Sequence, residues 1–125
     1  MMKLSRQEFE ELVREALAEV PDAFRPYLEN LSVEVEDMPS ATDCEAVGID
    51  NPRSLLGLYH GTPLLLRSVE QPYRWPERIA IYQNNIQRIC RTRRQIVRQV
   101  RRTVLHEIGH HFGLGEDDLR ELGYS

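Results

Sequence analysis

The sequence predicts an α+β fold, with helices at both ends and a small mixed or antiparallel sheet between them, and three observations carry that prediction. Apolar residues recur at helical spacing near the start, alternate with polar ones in short central stretches, and return to helical spacing from about Thr92. At 125 residues, 41% of them hydrophobic, the chain is read as one domain over 1–125, large enough for a core without disulfide staples.

Ser5 and Glu8 make a capping box, and Phe9, Leu12, Val13, Ala16, Leu17 and Val20 follow on one face, so a first helix is expected over 5–20. Pro21 suits the first turn of a second, short helix ending near Asn30. Leu31, Val33 and Val35 alternate with Ser32, Glu34 and Glu36, the pattern of a half-buried strand over 31–37. Residues 38–54 carry two prolines, Gly48, Asp50 and Asn51 without any period and are expected to be a surface loop. Strands are expected at 55–60 and 78–83, with a further short one near Leu64–Arg67. From about Thr92, the spacing of Ile96, Val97, Val100, Val104, Ile108 and Phe112 predicts one long helix stopped by Gly113, and a last short helix over 116–122.

Charge is unevenly spread. Residues 1–45 hold twelve acids and four bases, so the remainder carries a net +4 of the overall −4. Seven arginines (Arg88, Arg91, Arg93, Arg94, Arg98, Arg101 and Arg102) fall within fifteen residues. An arginine-rich helix face paired with an acidic segment of the same chain is expected, and nucleic acid is not, because the pI is 5.6 and no aromatics interleave. The longest aliphatic run, Leu64–Leu66, is far short of the ~20 residues that span a bilayer. The first residues turn acidic where a signal peptide is apolar, so a cytoplasmic address is expected, with Cys44 and Cys90 as reduced, buried side chains.

The long helix ends in His106-Glu107-Ile108-Gly109-His110-His111-Phe112-Gly113, an HExxH pattern followed by glycine. Random placement would produce HExxH in about one such chain in seventy. At 100° per residue His106 and His110 lie about 40° apart, so both imidazoles can meet one ion, while Glu107 sits on the shoulder. That is the arrangement zinc hydrolysis uses: two neutral nitrogens on the metal and a carboxylate that contacts the water the metal activates. The apolar stripe points elsewhere, and the histidine pair faces a border of Gln99 and Thr103.

A third ligand is needed. A thermolysin-like glutamate comes from a helix about twenty residues further on, and only fifteen residues follow His110. In the pattern HExxHxxGxxH the last position is Glu116 here. Gly113 can take positive φ and turn the chain back, so Glu116 is the expected third ligand, with Asp117 the alternative. The methionines, Met1, Met2 and Met38, all lie upstream, which excludes a full metzincin with its downstream methionine turn.

The stretch Val104 to Leu114 with its trailing acids resembles the small bacterial proteins described as minimal-zincin, zincin-like metallopeptidases. Upstream, Leu55 to Leu64 and Arg78 to Tyr82 are similar to that family's two middle strands and the loop between them. The resemblance implies a small sheet packed on the metal-binding helix and a single zinc held by His106, His110 and an acid.

The expected activity is peptide hydrolysis on a peptide or unfolded segment laid along a strand edge, with Glu107 as general base. The competing reading is a non-catalytic metal-binding or interaction domain with a structural or vestigial site. His111, within the apolar arc, is expected to be a buried histidine bonded to backbone, and His60 an exposed one. Tyr124, at the chain end, is not expected to act as an oxyanion donor.

Overall fold

Strand β3 (Arg78–Tyr82) is the centre of the sheet, with β1 (Ser32–Glu36) parallel on one side and β2 (Gly57–His60) antiparallel on the other. The fold is therefore α+β with a mixed sheet. The structure is a computed structural model that describes residues 2–61 and 77–121, the side chains of Glu116 and Leu119 excepted. The stretch Leu64–Arg67 and Tyr124 lie outside these residues. Among the described residues no helix is long and apolar enough to cross a membrane.

Register places Val33 beside Ile79 and Val35 beside Ile81, so one sheet face is aliphatic. Helices α1 (Arg6–Ala18) and α5 (Arg93–His111) cover that face. Phe9, Leu12, Val13 and Ala16 of α1 meet Ile96, Val97, Val100, Val104 and Ile108 of α5. Full burial of each large aliphatic side chain contributes roughly 1.5–3 kcal/mol, so this layer carries most of the fold's driving force. The expected box caps α1: the Glu8 N–H donates to Ser5 Oγ at 3.0 Å and the Ser5 N–H to Glu8 Oε1 at 3.1 Å. Pro21 leads into a 3-10 turn (Asp22–Phe24) and the short α2 (Arg25–Leu28).

Two helices appear where none was expected. In the presumed loop, Ser40 caps α3 (Ala41–Ala46) by accepting from the Asp43 N–H at 3.0 Å, and a 3-10 turn follows over Pro52–Ser54. A six-residue helix that buries only Cys44 is too short to show a hydrophobic period. Strand β3 stops at Tyr82, and α4 (Gln83–Ile89) begins directly after it. Its inner face is largely polar, with Gln83, Asn85 and Gln87 buried beside Ile86, so no apolar stripe marks it. Those amides have structural work: Gln83 Nε2 donates to Leu4 O (3.0 Å), Gln87 Oε1 accepts from the Leu4 N–H (2.9 Å), and the N-terminus is docked. Asn85 Nδ2 donates to Pro52 O (2.8 Å) and Leu55 O (2.6 Å), fixing the approach to β2.

The charge asymmetry resolves within the chain, through Arg78 on Glu34 and Glu36 of β1 and at two points along α5. Arg93 pairs with Glu8 at 2.8 Å, and Arg94 holds Glu19 through two bonds of 2.7 and 2.9 Å. The Arg93 guanidinium, with the Ser5 backbone N–H and hydroxyl, lowers the Glu8 carboxyl to about 2. A carboxylate whose folded pKa is depressed contributes stability that is present above its unfolded value and lost as pH falls through the folded one. Glu8→Gln should lower the thermal midpoint at neutral pH, and the gap to the parent should close between pH 4.5 and about 2. A gap of constant size down to pH 2 would show that the carboxylate charge is not what Glu8 contributes.

Candidate metal centre

Helix α5 starts where Thr92 accepts from the Gln95 N–H at 3.1 Å, and it runs unbroken through the HExxH pattern. Its end is a Schellman turn: the Leu114 N–H reaches Gly109 O (2.7 Å), the Gly113 N–H reaches His110 O (3.4 Å), and Gly113 has φ +69°. A residue with a Cβ would be strained there, so the glycine stop read from the sequence is where the chain reverses. Helix α6 (Glu116–Glu121) follows immediately, and Asp118 Oδ2 accepts from the Gly115 N–H at its start (3.0 Å).

His106 and His110 stand exposed on one flank of α5 with ring centroids 5.2 Å apart. Two imidazoles on one tetrahedral zinc, each bonded at about 2.0–2.1 Å, hold their centroids about 5 Å apart, so the pair is spaced to share an ion. Among the described residues no group of three His, Cys, Asp or Glu side chains is close enough to hold a metal. The Glu116 side chain lies outside the description. Of the neighbouring acids, Asp118 is engaged at the α6 cap, and the Asp117 side chain is 97% exposed and stands 3.9 Å from Arg120.

Glu107 shares the cleft wall with His106 and reaches β2, where its Oε1 accepts the Tyr59 N–H at 2.8 Å. Burial pushes its carboxyl above the usual carboxylate range, against the opposing pull of the Tyr59 N–H and of His110, His106 and His60. The bond forms because β2 lies very close to the helix. A Cβ built on Gly57 would sit 2.6 Å from Thr103 Cγ2 and 3.0 Å from Ala80 O, so only glycine allows this approach. Between the start of β2 and α5 lies a cleft of about 360 Å³, walled by Leu55, Leu56 and Gly57 on one side and Gln99, Arg102, Thr103, His106 and Glu107 on the other. A larger hollow of about 900 Å³ occupies the opposite sheet face, beside Asp43, His60 and Arg78, and neither His106 nor Glu107 lines it.

A chain whose HExxH helix faces a cleft beside strand β2 has the layout that the resemblance implied, and a family model described as zincin-like metallopeptidase matches residues 28–124. The chain belongs to that family. The matched span begins in α2 and leaves α1 outside it. No curated protein matches the chain. Metallopeptidases act on peptides or proteins, so substrates of that class follow from membership.

Two expectations for this member of the zincin-like family need correction. His111 is half-buried, not buried, with its ring stacked on Tyr59 at 3.7 Å and edge-on to Phe112 at 4.8 Å. Phe112 in turn meets Tyr27 at 4.8 Å, so aromatic contacts tie the helix end to α2 and β2. His60 is half-buried, not exposed: its Nε2 lies 3.2 Å from Asp43 Oδ2, on the sheet face away from the histidine pair. Sequence reading also missed Tyr59 as the partner of Glu107, since 48 residues separate them. The glycine at 57, inside a strand pattern, was the signal of close backbone approach.

Gly57→Ala should destabilise the protein by about 1–3 kcal/mol in chemical denaturation, the cost of overpacking a tight contact. Thr103→Ser removes Cγ2 while keeping the hydroxyl that donates to Gln99 O at 2.8 Å. Added to Gly57→Ala, it should recover part of the loss. Equal stability with and without the second change would mean that this contact does not set the strand's position.

Proposed function

We propose that this chain is a zinc-dependent peptidase in which His106, His110 and Glu116 hold the metal and Glu107 is the general base. The observation that carries the reading is the Glu107 carboxylate, half-buried at the cleft wall, next in sequence to His106 and anchored through one oxygen. Bound zinc supplies Lewis acidity, polarising a carbonyl oxygen and acidifying water.

The chain's own groups do the rest. The Tyr59 N–H fixes Oε1 and leaves Oε2 of Glu107 to take a proton from the attacking water and return it to the leaving amine. A carboxyl raised by burial is a stronger base than a solvated one, which suits that transfer at neutral pH. Leu55, Leu56 and Gly57 offer an apolar wall and, among the described residues, an edge strand along which an extended peptide can lie. Glu116 is favoured over Asp117 as third ligand because Asp117 points into solvent, whereas position 116 opens α6 directly after the reversal at Gly113.

Purified protein should carry about one zinc per chain, and His106→Ala or His110→Ala should remove it. Glu107→Gln should keep the zinc and lose cleavage of unstructured peptides by at least about a hundredfold. Glu116→Ala should weaken zinc binding far more than Asp117→Ala. Metal analysis with peptide turnover checks all of these. Full zinc content in both histidine variants rejects the site, undiminished turnover in Glu107→Gln rejects the base, and the reverse ranking of the two acids moves the ligand by one residue.

A further inference from the structure

The arginines of α5 do not all have the same surroundings. Arg93 and Arg94 are neutralised by Glu8 and Glu19 of α1 and its cap, and Arg98 and Arg101 stand in the field of Glu19, whose carboxyl they help to lower. Arg102 is exposed and has no ion pair among the described residues. Its position on the helix differs as well. Four residues before His106, it lies about 40° round the helix and about 6 Å along it, on the flank that carries the histidine pair. It lines the cleft beside the Leu55–Gly57 wall, and with Gln99 it continues into an adjoining hollow of about 230 Å³ that reaches Ile89 and Gln95.

Among the described residues no carboxylate in the cleft pairs with this cation. Glu107 is the one acid among the described residues of the walls, and its carboxylate is bonded to the Tyr59 N–H. A guanidinium presents a planar fork of donors matched to a carboxylate, and one facing a half-apolar cleft binds such a group more strongly than one in open water. Phosphate-rich polymers fit less well: they need several cations in a row and stacking aromatics, and among the described residues no aromatic side chain lines the cleft.

We propose that Arg102 is a specificity-determining residue that binds a carboxylate of the peptide substrate, an acidic side chain or the free C-terminus, one helical turn from the histidine pair. This rests on reading the cleft as the peptide site. The substrate class is then peptides with a carboxylate close to the scissile bond on the side that lies toward the start of β2 and the middle of α5.

The test measures binding, so that it does not depend on turnover. Zinc-loaded Glu107→Gln protein is titrated into labelled unstructured peptides, and fluorescence anisotropy is followed. The set holds a neutral peptide with an amidated end, the same peptide with a free C-terminus, and amidated versions with one glutamate or one lysine at each position in turn. At least one carboxylate-bearing peptide should bind about tenfold tighter than the neutral amide, a preference that shrinks with added salt. Whether the glutamate or the free terminus gains identifies the source of the carboxylate. Arg102→Glu, added to the same background, should reverse the preference toward lysine, and Arg102→Gln should abolish it, with zinc content and melting temperature unchanged in the exposed-site variants. Arg102→Lys should restore only part, because an ammonium lacks the fork. Equal affinity for all peptides, no binding of any, or a carboxylate preference that survives Arg102→Glu overturns the proposal. Carboxylate-dependent binding without hydrolysis by the Glu107 form would instead count against the peptidase reading alone, and hydrolysis indifferent to carboxylates would count against Arg102 alone.

Discussion

Strand β2 rests on helix α5 at a distance that only a glycine permits, and the architecture around the candidate site depends on that contact. Gly57 lies against Thr103, and two residues later the Tyr59 N–H meets the Glu107 carboxylate. A side chain at 57 would lift the strand, lengthen the bond to Glu107 and open the cleft, so one missing methyl group sets three features at once. The same contact explains why a half-buried carboxylate is tolerated: a desolvated charge with no donor would cost several kcal/mol, and the strand's backbone supplies the donor.

The remaining structure holds that strand and that helix in place. β3 anchors β2 on its inner side, with Leu58 beside Ala80 and Tyr59 beside Ile79. Asn85, fully buried, takes hold of the two carbonyls that precede β2, those of Pro52 and Leu55. Under the helix, α1 supplies Phe9, Leu12, Val13 and Ala16 to the apolar contact, and the ion pairs above it are exposed, where solvent screening leaves such pairs weak. They orient α1 on α5 more than they stabilise it. At the far end, the Schellman turn and the contacts Tyr27–Phe112 and Tyr59–His111 keep the last turn of α5 from fraying.

What was legible in the sequence was what is local. The Ser5–Glu8 box, the 3.6-residue period of α5, its glycine stop and the alternation of β1 and β3 are each written within about twenty residues, and the structure contains all of them. The HExxH pairing belongs to the same class, since one helix alone brings His106 and His110 to a common flank. Sheet order was not legible, because period-two alternation is identical in parallel and antiparallel strands, and β1 reaches β3 across more than forty residues. Helix α4 was invisible because its buried face bonds through amides instead of packing methyl groups. Tyr59 shared this difficulty: its contribution to the site is a backbone N–H, which any residue but proline would provide, so its side chain gave no sign.

That N–H also bears on how the sheet edge is managed. Among the described residues β2 is an edge strand, and an edge with free donors and acceptors invites pairing with other chains. Because Leu58 faces Ala80 across the ladder and the Tyr82 N–H takes Leu56 O, the outward-facing groups of β2 are those of Gly57 and Tyr59. Glu107 occupies one of the two donors. The strand is only four residues long, and the helix lies close under it, both of which blunt an edge. Gly57 itself lines the cleft, on the same wall as Leu55 and Leu56. An extended peptide pairing there would be positioned alongside Glu107 by the same geometry that keeps the edge from aggregating.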